Sequence, residues 1–328
     1  MRNFTFKGLF LTAVFTLLGC LSIQAADDNL ITKQITIKLD EAGTLPDKIG
    51  SSRMYTITNL KLVGEINGTD LRMIRKMAGR NHYDYSTEGN LSVLDLSEAK
   101  IVEGGDYYLN NNHYYHYTSN DEIGYYAFKG CSRLTSINLP AGITEIGGSA
   151  FSYCTGLTTV TLPASLTTIG ENAFEGCTGL TSVNLPAGIT EIGGFTFEFC
   201  SGLTSITLPA SLTKIGGWAF QNCSGLASIY VYAEKVPEMG YGVFENCDAK
   251  KCTVYVPKGT YDDYWLSNFG YFENIVEFDA TGIDKTTTST DVEEVSRFSA
   301  DGQRLVGPTK GLNIVKYSDG SVKKVAVE

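Results

Sequence analysis

Cysteine is the most regularly placed reactive residue in this chain. Six of its eight cysteines, Cys131, Cys154, Cys177, Cys200, Cys223 and Cys247, recur at a step of 23 residues four times and then 24. Thiols can pair, hold soft metals or act as nucleophiles. Zinc is disfavoured, because no histidine accompanies the column and its long, even spacing suits no compact site. Disulfides are within reach, since stacked repeats ~4.8 Å apart would bring neighbouring Cα atoms into range. Each cysteine, however, sits among Phe and Leu that must point inward in parallel. A small buried hydrophobe is the expected role, and hence a reduced thiol ladder. Cys247 and Cys252 form the closest pair, and their redox state is left open.

Two of the three histidines form His113-x-x-His116. With no carboxylate or cysteine at a matching spacing, solvated loop histidines are expected and no metal is assigned. There is no Gly-x-Ser-x-Gly elbow, no phosphate-binding glycine loop and no His-Glu-x-x-His. The expectation is therefore no enzyme, no catalytic residue and no cofactor. Tyrosine is the other concentrated type. Tyr107, Tyr108, Tyr114, Tyr115 and Tyr117 fall in a 20-residue insertion that also carries both of those histidines. So few aliphatics there predict a loop leaving one side of the molecule. Exposed tyrosine gives large contact area at modest entropic cost, so these five are candidate ligand-binding residues. The alternative is a loop folded over, its tyrosines packed on the flank. Tyr230 and Tyr232 are further candidates near the other end.

The elements that must position these residues follow one period. Phenylalanine keeps the cysteine step, at Phe128, Phe151, Phe174, Phe197, Phe220 and Phe244. A fixed period of this length means a solenoid of stacked coils. Within a coil, Leu134, Ile137, Leu139, Ile143, Ile146, Ala150, Phe151 and Cys154 form the apolar columns. Ile137 and Leu139 should share one face of a strand that Pro140 closes. Gly147-Gly148 predicts a tight turn, and Ala-Phe-x-x-Cys a short helical or 3₁₀ turn. One coil cannot bury enough apolar surface to offset its own ordering, so coils must share burial and backbone hydrogen bonds. The outward strand residues, such as Thr135, Ser136 and Asn138, form a face of hydroxyls and amides. It lacks the Tyr, Trp and Arg anchors that dominate binding energy.

The L-x-x-[LI]-x-[LV] spacing also occurs at Ile57, Leu60, Leu62 and at Leu91, Leu94, Leu96 upstream, and at Leu226, Ile229, Val231 downstream. Together with the LP…I…IG…AF..C pattern it resembles the BspA-like leucine-rich repeat proteins of bacterial surfaces. The resemblance covers roughly residues 57–278. It implies a leucine-rich repeat solenoid, a β-rich, right-handed coil stack, and an adhesin-like role in binding an extracellular or cell-surface protein, host matrix among them. A glycan-binding or structural envelope protein is the alternative.

The domain reading follows. Residues 1–25 have Arg2 and Lys7, then a short apolar run, and read as a signal peptide. Leu17-Leu18-Gly19-Cys20 resembles a lipobox, but ordinary cleavage ahead of Ala26 is expected. Its loss moves the formal charge from −10 to −12, because two cations go and no anion does. A surface this acidic excludes nucleic acid and anionic lipid as ready partners. Residues 26–127 should hold the N-terminal cap, irregular repeats and the Tyr-rich insertion, with a strand over 30–39. A capping helix is expected over 70–78, with Asp70 as its N-cap. Residues 128–247 are the regular coils, and 248–279 a last repeat with a cap in which Tyr264, Trp265 and Phe269 cover the final coil. Residues 280–291 read as a linker. Residues 292–328 read as a small β module with hairpins at Asp301-Gly302 and Asp319-Gly320, resembling the C-terminal modules of secreted Bacteroidetes-type proteins, some of them sorting signals. Secretion or display on the cell surface, with no membrane span, completes the expectation.

Overall fold

The computed structural model describes residues 29–111, 113–280, 294–299, 304–305, 311–317 and 322–327. The expected signal peptide, the lipobox-like stretch at Cys20 and the expected linker residues after 280 lie outside the described residues. From residue 35 to 278 the chain is a parallel β-solenoid. Its first face begins with the strands Ile35–Leu39, Asn59–Ile66, Val93–Ile101, Ser136–Asn138 and Thr159–Thr161. It resumes with Ser182–Asn184, Ser205–Leu208, Ser228–Val231, Thr253–Pro257 and Asn274–Phe278. The register advances by one repeat per strand: Ile137 pairs with Val160, and Val183 with Ile206. The second face is a ladder of two-residue strands, from Glu122–Ile123 to Glu238–Met239.

The third side differs from the expected helical or 3₁₀ turn. It is a run of turns whose backbone bonds to the next coil: Phe151 N donates to Ala173 O at 2.8 Å, and Tyr153 N to Glu175 O at 2.7 Å. Left-handed backbone at Ser149 (φ 54) and Tyr153 (φ 59) interrupts any helix and turns alternate N–H groups outward, along the stack. The coils approach closely at the glycines two residues after Cys154, Cys200 and Cys223. A Cβ on Gly156, Gly202 or Gly225 would collide with the preceding coil's Ser132, Thr178 or Ser201 carbonyl oxygen.

Inside, Phe128, Phe151, Phe174, Phe197, Phe220 and Phe244 form one stack, with ring centroids 5.2 to 5.7 Å apart. The six column cysteines are buried and unpaired, as is Cys252. Their side chains have a bonding role that hydrophobicity alone does not suggest. Cys154 Sγ donates to the Phe128 carbonyl at 3.0 Å, and Cys177, Cys200, Cys223 and Cys247 repeat the contact one coil on. Burial pushes these thiols up, Cys131 to about 11 and Cys200 to about 12.

Caps close both ends. The N-terminal helix runs Gly68–Met77, and its N-cap is Asn67, not Asp70. Asp70 is instead the third helical residue of a capping box, because its carboxylate is needed further back. It accepts from Asn67 N (3.0 Å), Gly43 N (2.5 Å) and Leu45 N (2.9 Å), all while fully buried. Arg75, also fully buried, joins this helix to the first regular coil by donating to the carbonyls of Tyr126 (2.8 Å) and Ala127 (2.9 Å). At the far end the helix Tyr261–Trp265 and the 3₁₀ turn Asn268–Tyr271 bring Tyr264, Phe269 and Phe272 over Phe244 and the last coil. Trp265 does not take part. It stays outward, stacked on Tyr261, because the adjacent Tyr264 already fills the interior and donates to Ala233 O. Among residues 294–327, four antiparallel strands pair in the order Arg304–Leu305, Glu294–Ser299, Gly311–Tyr317, Val322–Val327. The hairpin turns between them lie outside the described residues.

Candidate partner-binding surface

The Tyr-rich insertion is an ordered β-hairpin rather than a loop. The strands Gly104–Asn111 and Tyr114–Thr118 pair antiparallel, with Asn110 opposite Tyr115 and Leu109 opposite His116. The pairing shifts register between Gly104 and Leu109, which breaks simple side-chain alternation there and lets two neighbours turn inward. Tyr108 and Leu109 are buried, and Tyr108 donates to the Tyr125 carbonyl at 2.8 Å. Tyr108 is therefore part of the core and cannot meet a partner, which corrects its place among the candidate residues. Backbone contacts fasten the hairpin to the cap: Asp106 N donates to Thr69 Oγ1 (2.9 Å) and Asn110 N to His82 O (2.7 Å). The insertion is thus both a docked structural element and a carrier of exposed rings.

The outer face gathers Tyr107, Tyr115 and Tyr117. Tyr107 is the half-buried hub, with ring centroids 4.9 Å from Tyr115 and 6.4 Å from Tyr117. The Arg72 guanidinium lies 4.8 Å over the Tyr107 ring and pairs with Asp106 at 3.3 Å, so the hub is pinned from the helix below. Arg72 also donates to His82 Nε2 at 2.8 Å. Burial, followed by the Arg72 charge, holds His82 down at about 4, which keeps the imidazole neutral and able to accept. Tyr114 (75 %), Tyr115 (51 %) and Tyr117 (54 %) remain exposed. Tyr83 and Tyr85, which sequence reasoning did not single out, extend the exposed aromatic surface beside His82. Their spacing around Asn81, whose side chain accepts from the N–H groups of both, was the available signal.

The two hairpin histidines part company. His113 is exposed at the turn with φ 73, whereas His116 is half-buried between Tyr108 and Tyr126. Among the described residues no group of three or more His, Cys, Asp or Glu is placed to hold a metal.

Tyr230 and Tyr232 lie on the first face, away from the hairpin. Tyr230 stacks on Tyr255 at 4.6 Å, and Tyr232 meets Phe278 edge-on at 5.2 Å. Both are half-buried by these neighbours. The threonine column on the same face is engaged with the scaffold. Thr135 donates to Ser92 O, Thr158 to Thr135 O and Thr204 to Thr181 O, at 2.9 to 3.1 Å. These hydroxyls spend their protons on carbonyls of the preceding coil, which leaves only their acceptor lone pairs for a ligand.

Stacked parallel coils around a Phe and Leu core define this protein as a leucine-rich repeat solenoid. Residues 121–251 match the BspA type leucine rich repeat region in six copies. No match was found among curated proteins. Among solved structures, the leucine rich repeat protein of T. pallidum is 33 % identical, over 42 % of this chain and 62 % of that one, with a TM-score of 0.39. The chain thus spans less than two thirds of that relative. A leucine-rich repeat protein from Bacteroides ovatus is 20 % identical over 75 % of this chain and 70 % of that one, with a TM-score of 0.35. A leucine rich cell surface protein from Faecalibacterium prausnitzii is also 20 % identical, covering 74 % and 87 %, with a TM-score of 0.34.

Proposed function

We propose that this protein is exported, stands at or beyond the cell surface, and binds a protein of a host or neighbouring cell without catalysing a reaction. The observation that carries the reading is the hairpin. It holds Tyr114, Tyr115 and Tyr117 exposed on a base made rigid by the buried Tyr108 and Leu109. Rigid, pre-placed tyrosines lose little entropy on binding, and hot spots favour such residues over Ser and Thr. The BspA type repeats and the likeness to a leucine rich cell surface protein support the location. No helix among the described residues is long and apolar enough to cross a membrane.

A glycan ligand is the competing reading, since exposed rings also suit sugars. The test is retention of the protein on immobilised extracellular-matrix extract, with and without excess matrix oligosaccharides. Retention that survives the sugars is expected. Loss of retention on adding them would replace the protein partner with a glycan.

A further inference from the structure

The turn side of the coils carries a feature that the hairpin reading leaves unused. Each coil places two residues in left-handed backbone: Tyr126 and Gly130, Ser149 and Tyr153, Asn172 and Gly176, Phe195 and Phe199, Trp218 and Asn222, Gly242 and Asn246. Asparagine and glycine hold that conformation readily, whereas bulky aromatics hold it at a cost. Tyr126 and Tyr153 occupy it singly in earlier coils, and Phe195, Phe199 and Trp218 concentrate three such rings in two adjacent coils. Backbone geometry does not call for them. Phe195 stacks on Trp218 at 5.1 Å, and Trp218 meets Tyr241 at 5.4 Å, so three rings make a ridge along the stack. Phe199 (45 %) and Tyr241 (77 %) are exposed.

The charge beside this ridge is one-sided. No Lys or Arg occurs between Arg133 and Lys214, a stretch that contains five glutamates. Glu175 and Glu245 have donors: Tyr153 and Asn172 bond to the first, at 2.5 and 3.1 Å, and the Trp218 indole to the second, at 3.3 Å. Glu198, between Phe195 and Phe199 in the chain, differs. Its carboxylate has no hydrogen-bond or ion-pair partner among the described residues. Burial, with the neighbouring Glu175 charge, pushes its carboxyl above the ordinary value. An incoming cation would offset the Glu175 repulsion and favour the ionised carboxylate.

We propose that this ridge, centred on Glu198 with Phe195, Phe199 and Trp218, is a second docking surface, and that it takes an arginine side chain presented by a partner polypeptide. Guanidinium is the fitting chemistry. It is planar, stacks on rings, forks onto carboxylate and is weakly hydrated, whereas an ammonium is a strongly hydrated point charge. The acidic surroundings repel phosphate and sulfate, which excludes nucleic acid and anionic glycans. The proposal does not rest on the hairpin reading.

The test is calorimetric titration of the full chain, at physiological salt, with nona-arginine, nona-lysine and cellohexaose. Nona-arginine should bind about tenfold more tightly than nona-lysine. Phe199→Asn and Glu198→Gln should each weaken nona-arginine several-fold. Phe199→Asn should melt at the same temperature or higher, because asparagine suits the left-handed backbone. The variant carrying Tyr114→Ser, Tyr115→Ser and Tyr117→Ser should bind nona-arginine as the unaltered protein does, which separates this surface from the hairpin. Equal affinity for the two peptides would mean general charge attraction only and would overturn the proposal. So would a preference for cellohexaose, unchanged binding in both variants, or a lowered melting temperature for Phe199→Asn, which would make the ring structural.

Discussion

At the residue scale, one column explains how the coils are tied together from inside. Cysteine fits between phenylalanines as an apolar group, yet its thiol also caps a carbonyl of the coil before it. Serine would supply the bond but bury a more polar hydroxyl, and alanine would leave the carbonyl one donor short. The thiols are held protonated by burial, so the ladder has a defined pH response. A thiol whose folded value is raised stabilises the fold fully below the unfolded value, near 9, and loses that contribution as pH climbs through the folded value. For Cys131 and Cys200 the window runs from about 9 to about 11 or 12. Each buried thiol then favours unfolding by about 1.4 kcal/mol per pH unit. Melting temperature should therefore fall steeply between pH 9 and 10 under reducing conditions, while maleimide labels the native thiols slowly. A melting temperature flat across that interval would contradict a buried, protonated ladder. The column itself was legible from spacing alone. Its hydrogen bond was not, because nothing in a 23-residue step says which carbonyl a thiol will face.

At the element scale, the caps were readable as apolar patterns and misread in their polar detail. Leu71, Ile74 and Met77 give the helix away by their spacing, and all three are buried. Asp70 was the obvious cap, but Asn67-x-x-Asp70 is a capping box, and the acid also serves two N–H groups from a segment some 25 residues upstream. Such a distant demand leaves no local mark. Arg75 is the same kind of case, since a cation on an apolar helix face looks like a solvated side chain until the first regular coil packs over it. Its role is testable. Arg75→Met would leave the Tyr126 and Ala127 carbonyls short of donors, at a cost of about 2 kcal/mol. Amide exchange in the helix Gly68–Met77 should accelerate about thirtyfold in the variant, with the coils beyond residue 174 unaffected. Unchanged exchange in that helix would show that Arg75 does not hold the cap. The turn segments were misread for a related reason. Ala-Phe-x-x-Cys has helical spacing, but Asn and Gly recurring four residues apart, as at Asn172 and Gly176, were the signs of left-handed backbone.

At the scale of the whole molecule, the solenoid fixes what can be a site. The threonines that lead into its first face donate to carbonyls of neighbouring coils, and its interior is closed by Phe, Leu and Cys. What remains for recognition is what the repeat does not need, and the hairpin of residues 104–118 is the largest such piece. The insertion and its tyrosines were legible as a break in period. Which tyrosine faces inward was not, because strand alternation had no register until the hairpin did. That finding changes the experiment. Replacing the whole hairpin would remove Tyr108 and Leu109 from the core and confound folding with binding. The direct measurement is retention on immobilised extracellular-matrix extract of a variant carrying only Tyr114→Ser, Tyr115→Ser and Tyr117→Ser, compared with the unaltered protein and with melting temperature recorded for both. The account predicts retention weakened by about tenfold or more, equivalent to ~1.4 kcal/mol, at an unchanged melting temperature. Equal retention by the two proteins would contradict it and move the binding site off the hairpin.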